Sequence, residues 1–302
     1  MFYLILAVLI QCMLSIILKI ANIRKYDSNS ITFINYTVAM IMAVGNAVTK
    51  GQYHIFSELG NMNPASLMTE KTLGNTAFTV ILLGIISGVI FLVNLLILNN
   101  SVARNGAGIS SFFKQSGFIG GVLLAVIFFK ETLKPLQMVG IVLVVVALLL
   151  LVGDFKSLDV KTPVLLFLML LNGTIIEVDN KFFNDFAITE YKPLFLAAIF
   201  LVAFVCCVIY IVYLVKKENK KLRFGTSELI AGVLLGLSNM LNNLFQLKSL
   251  DSLDASVVFP SLAGGSLFIM TLASIVVFKE KTTVKHILSV VIAIMGLVFI
   301  NM

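Results

Sequence analysis

Ten times along its 302 residues this chain runs for about twenty positions with few or no charges. A bilayer offers about 30 Å of hydrocarbon, and a helix rising 1.5 Å per residue crosses it in about twenty residues. Lipid supplies no hydrogen-bond partner for a backbone. An uninterrupted apolar run of this length therefore predicts a helix, which satisfies its own N–H and C=O groups. The runs are 2–20, 30–49, 76–98, 107–128, 134–153, 162–183, 193–215, 227–247, 255–278 and 283–301. The predicted class is an all-α integral membrane protein with ten transmembrane helices. With 59% hydrophobic and 12% charged residues, an ordinary soluble domain is excluded.

The first run has no basic region ahead of it and no small-residue cleavage site, so it is expected to remain as a span. Cys12, Cys206 and Cys207 all lie inside apolar runs and read as small core residues. The net charge of +7 gathers around Lys216, Lys217, Lys220, Lys221 and Arg223. Such a segment beside a span suits anionic lipid better than nucleic acid, and no nucleic-acid partner is expected. The positive-inside rule then places this basic loop in the cytoplasm and both termini outside. The expected location is a cell membrane, crossed many times, with a bacterial inner membrane the first choice.

The chain also repeats itself. Phe129-Lys130-Glu131 recurs 149 positions later as Phe278-Lys279-Glu280, and each copy is followed by a final apolar run. The same shift lays Ala147 on Gly296. A shift of 148 lays Gly84, Gly88 and Asn94 on Gly232, Gly236 and Asn242, and a shift of 162 lays Lys19 on Lys181. The halves divide as 1–153 and 154–302, with 50–75 lacking a counterpart and expected to form a surface insertion. Five spans per copy is an odd number, so the second copy enters from the opposite face, giving two inverted five-helix repeats. Repeats of that kind place a binding site near the midplane and exchange access by moving one part against another.

The acidic residue closing the fourth and ninth spans, followed by a helix carrying Gly140, Ala147 and Gly296, resembles the ten-helix EamA-like members of the drug/metabolite transporter superfamily. The first span, Tyr3 through Lys19, is similar to the first helix of the four-helix small multidrug resistance family. That family has a membrane glutamate eight residues before a lysine; here Gln11 stands eight residues before Lys19, and glutamine cannot titrate. The resemblance implies a transporter with spans 1–4 and 6–9 around a cavity and spans 5 and 10 as braces. It implies cargo among amino acids, other small metabolites, nucleotide-sugars or drugs.

Lys114 stands out. It falls near the middle of the fourth span, and an ammonium there costs roughly 2.5 kcal/mol or more unless it faces water or a partner. Ser110, Ser111 and Gln115 lie close to it on the helix. It is a candidate anchor for a substrate carboxylate or phosphate, or else a lysine paired with an acid or snorkelling to the interface from a helix that starts later. Glu177, in the sixth span, is the proton-coupling candidate. Its i, i+4 spacing to Lys181 suits a helix ion pair equally. Asp179 and Asn180 raise the further reading that the helix stops there. In the eighth span Ser238, Asn239, Asn242, Asn243 and Gln246 share a face and predict a hydrogen-bonding wall. Pro260, Ser261, Gly264 and Gly265 mark a ninth span whose backbone is closely approached. Gln11, Ser15, Asn35 and Tyr36 complete the predicted lining.

These residues point to a secondary transporter of a small polar metabolite, such as an amino acid or a related anion or zwitterion. It would work by alternating access, coupled to protons or to exchange, as a monomer or homodimer. The alternative is a multidrug or hydrophobic-cation exporter, which Lys114 opposes. No GxxxxGK[ST] phosphate loop is present, no cofactor is expected, and His54 and His286 lie far apart in sequence without paired carboxylates. An enzyme is not expected, nor a metal site.

Overall fold

Segments that find no hydrogen bonds in lipid coil to satisfy themselves, and the secondary structure follows. A computed structural model describes residues 1–151, 162–217, 221–279 and 284–302. Among them are ten α-helices: α1 (Phe2–Ile23), α2 (Ser28–Thr49), α3 (Leu73–Gln115), α4 (Gly117–Phe128), α5 (Pro135–Leu151), α6 (Thr162–Phe186), α7 (Lys192–Lys217), α8 (Thr226–Ser249), α9 (Ala255–Val276) and α10 (Val284–Ile300). Among the described residues six stretches are long and apolar enough to cross a bilayer, and three shorter apolar helices, Phe113–Phe128, Pro135–Leu150 and Ile287–Ile300, accompany them. The protein is a multi-pass membrane protein.

Two expectations need correcting. The sequence breaks the third span from the fourth between 98 and 107, but α3 runs through that stretch and the interruption comes at Ser116. Asn99, Asn100, Arg104 and Asn105 are polar, which ends an apolar run, yet no proline stands there to end a helix. Nor does α6 stop at Asp179: it continues through Asn180 to Phe186. The insertion at 50–75 carries two 3-10 helices, Gln52–Asn61 and Pro64–Ser66.

The helices group into two units, each drawing on both halves of the sequence. One comprises 1–12, 93–178 and 252–302; the other comprises 13–92 and 179–251. In the first, α5 and α10 pack along their length. Lys134 Nζ donates to the Met302 carbonyl (3.1 Å) and Gln137 Nε2 to that of Ile300 (3.4 Å). Gly140 meets Gly296, where a Cβ added at Gly140 would lie 2.7 Å from the Gly296 carbonyl oxygen. The partners count upward on α5 and downward on α10. These last helices of the two copies are thus antiparallel, as inverted copies require.

The doubled Phe-Lys-Glu has a backbone meaning. Lys130 and Lys279 both adopt left-handed φ values, 55° and 49°, at the ends of their segments. The conformation costs a β-carbon residue about 1 kcal/mol and turns the chain sharply. Glu131 then lies over the start of α9, accepting from the Ala255 N–H at Oε1 and the Ser256 N–H at Oε2, both at 3.0 Å. These two helix-terminal donors have no partner within α9, and a carboxylate suits the positive end of the helix. Glu280 lies outside the described residues.

In the second unit, α2 lies between α7 and α8, in extensive contact with both. A Cβ added at Gly232 would meet the Ile34 Cβ at 2.5 Å, and one at Gly236 the Val38 Cβ at 2.7 Å. Likewise Gly84 would meet the Ala198 Cβ at 2.5 Å and Gly88 the Val202 Cβ at 2.6 Å. The glycines are counterparts in the repeat, and their partners keep a constant offset too. Within this unit α8 of the second copy seats on α2 of the first, while α3 of the first seats on α7 of the second. The copies exchange partners.

Candidate functional site

In the first unit the α3–α4 interruption organises the polar residues. Lys114 and Gln115 are the last two residues of α3, and Ser116 separates them from Gly117, where α4 begins. The junction is pressed against α6. A Cβ at Gly117 would sit 2.7 Å from the Gly173 backbone, and one at Gly173 would sit 3.0 Å from the Lys114 carbonyl oxygen. Thr174 Oγ1 donates to the Gly117 carbonyl (3.1 Å). Backbone at a broken membrane helix is tolerated where protein or a polar cavity receives its freed groups. Here Gly117 of α4 and Gly173 of α6 allow the approach and Thr174 supplies the bond.

The polar atoms around the junction come from several helices. Lys114 is exposed and Gln115 half-buried. Ser266 Oγ on α9 donates to Gln115 Oε1 (3.0 Å), and Cys12 Sγ on α1 donates to the Ser266 carbonyl (3.7 Å). Gln11 precedes Cys12 and is half-buried. Glu177, one turn beyond Gly173 on α6, is half-buried as well, with its Cβ against Gly121 of α4. Phe259 of α9 also lies against Gly121, its ring 3.0 Å from where a Cβ would be.

Two buried amide atoms of this unit, Asn94 Oδ1 and Asn172 Nδ2, have no hydrogen-bond partner among the described residues. Ser261 is placed differently, accepting from Asn301 Nδ2 (3.4 Å) beyond the end of α10. Ser111 is helical, and its side chain lies outside the described residues.

In the second unit the predicted amides form a line between α2 and α8. Asn239 Nδ2 donates to Asn35 Oδ1 (3.4 Å), and Asn243 Nδ2 donates to the Asn239 carbonyl (2.8 Å) and Oδ1 (3.2 Å). Asn35, Ser238, Asn242, Asn243 and Gln246 are all buried. Gly232, Gly236, Asn239 and Asn243 recur at helical spacing, so this face of α8 is the one that meets α2. Tyr36 Oη donates to the Phe91 carbonyl (2.8 Å). Asp179, buried in α6, accepts from Ser87 Oγ of α3 (2.7 Å). Lys181 pairs with Asp185 at 2.9 Å.

The sequence matches the EamA-like transporter family twice, over residues 1–153 and 165–302. The chain belongs to the EamA-like transporter family. No curated protein matches it. Among solved structures, one described only as a crystal structure of a protein aligns over 99% of this chain and 94% of its own, at 11% identity and a TM-score of 0.74. That likeness shows the fold alone. Members of the EamA-like family are transporters, and the two matches correspond to the two copies of the repeat.

Sequence reasoning overlooked Ser266, Thr174, Asn172 and Ser87, because a lone serine, threonine or amide in an apolar helix carries little signal. Asp179 had a signal, being an acid inside a membrane span, which is costly and therefore informative. Among the described residues no group of three or more His, Cys, Asp or Glu is placed to hold a metal.

Proposed function

We propose that this protein is a secondary transporter for a small anionic or zwitterionic metabolite, working by alternating access in a cell membrane. The observation that carries the reading is the place of Lys114, an ionisable side chain at the interruption between α3 and α4. A cation inside a membrane helix is costly unless water or an anion receives it. The Gln115–Ser266 pair beside it and the unpartnered Asn172 amide nitrogen supply neutral donors and acceptors for the rest of a polar cargo. Lys114 disfavours a hydrophobic cation as cargo. Glu177 is the proposed proton carrier, since a half-buried carboxylate is the kind of group whose protonation couples to transport.

Thermal stabilisation of the purified protein by a panel of carboxylated, phosphorylated and cationic metabolites tests the anchor. Carboxylates or phosphates are expected to stabilise the wild type and to lose most of that effect with Lys114→Ala. Equal stabilisation of both proteins refutes the role of Lys114. Transport into proteoliposomes under a pH gradient tests Glu177, and Glu177→Gln is expected to abolish the response to the gradient. A response unchanged by the substitution refutes the proton role.

A further inference from the structure

The second unit holds a pocket of about 460 Å³ that is separate from the residues discussed so far. Asn46 and Lys50 at the end of α2, Glu190 in the 3-10 turn Thr189–Tyr191 before α7, Lys192 at the start of α7, Lys248 in the last turn of α8 and Asp251 just beyond it line it. Its walls are tied together by side chains. Gln52 Nε2 donates to the Glu190 carbonyl (2.7 Å), and Gln52 Oε1 accepts from the Leu194 N–H (3.2 Å), a donor in the first turn of α7. Asn184 Nδ2 donates to the Leu250 carbonyl (2.9 Å), and Lys71 Nζ donates to the Asn184 carbonyl (3.0 Å). Three chain segments that would otherwise be loose loops are thereby held in place, so the pocket exists before anything enters it.

Its charge is uneven. Lys192 is buried and paired with Asp251, and it also donates to the Thr189 carbonyl. Among the charged residues of the lining, Lys50, Lys192 and Lys248 outnumber Glu190 and Asp251 by one. α7 carries this pocket at its first turn and the basic segment from Lys216 at its other end, about 39 Å away for 26 residues. The pocket therefore opens on the membrane face opposite the basic segment.

We propose that this pocket is a vestibular site for small organic or inorganic anions, with Lys50 and Lys248 holding the anionic oxygens and Asn46 donating a neutral hydrogen bond. The volume suits a small metabolite. The inference rests on the transporter reading only for its purpose, namely gathering anions at one face; binding itself stands without it.

Equilibrium binding of labelled succinate and of inorganic phosphate to the full-length protein in nanodiscs, with putrescine as the cationic control, tests the site. Two classes of anion site are expected in the wild type. Lys50→Gln and Lys248→Gln should each weaken one class about tenfold, Lys50→Arg should restore it, and Lys114→Ala should remove the other. Binding of succinate alone or phosphate alone identifies a carboxylate or a phosphate site. If neither anion binds, or if the double variant Lys50→Gln/Lys248→Gln binds as the wild type does, the vestibule is overturned. If the only site is lost with Lys114→Ala, the vestibule fails and the central anchor stands; if Lys114→Ala changes neither binding class, the anchor fails and the vestibule stands.

Discussion

Adding one methyl group at Gly232 or at Gly84 tests how the two copies exchange partners. The new Cβ would lie 2.5 Å from Ile34 Cβ in the first case and 2.5 Å from Ala198 Cβ in the second. Carbon atoms in contact rest at about 3.5–4.0 Å, so the facing helix must retreat by about 1 Å. Overpacking of this kind costs about 1–3 kcal/mol. Each kcal/mol moves the melting temperature of a chain of this order of size by about 2–4 °C. Gly45, on α2, is the control: nothing beyond its own turn of helix lies within 4 Å of an added Cβ, and alanine there gains about 0.5–1 kcal/mol of helix propensity. Thermal unfolding in detergent should therefore show Gly84→Ala and Gly232→Ala lowered by several degrees and by similar amounts, with Gly45→Ala unchanged or raised. If either buried glycine tolerates alanine as Gly45 does, the reciprocal packing is wrong.

Two further outcomes follow from side-chain caps. Glu131→Ala removes both acceptors from the start of α9, which should cost about 1–2 kcal/mol and raise amide exchange at Ala255 and Ser256, with Glu131→Gln intermediate. Gln52→Ala frees the Glu190 carbonyl and the Leu194 N–H, and limited proteolysis should then cut within 50–75 faster than in the wild type. Unchanged exchange or unchanged cleavage contradicts the respective cap.

The membrane class, the helical content and the repeat were legible in the sequence, because each rests on a local pattern: apolar length, and the recurrence of glycines and of Phe-Lys-Glu. The polar residues of the candidate site were legible in part. Lys114 and the α8 amides stand out as polar residues in apolar runs, whatever surrounds them. Ser266, Thr174 and Asn172 do not, since their importance lies in which backbone or side chain they meet.

What the sequence determined by itself is that this chain is helical and crosses a bilayer, for an apolar run of about twenty residues satisfies its own backbone in lipid as a helix. Only the tertiary structure decided which helices meet. It placed the break of the fourth span at Ser116 rather than at the polar stretch before it, since polarity ends an apolar run but only backbone geometry and packing end a helix. It also gave the repeated Glu131 its task, because a carboxylate caps whichever helix terminus the fold brings to it.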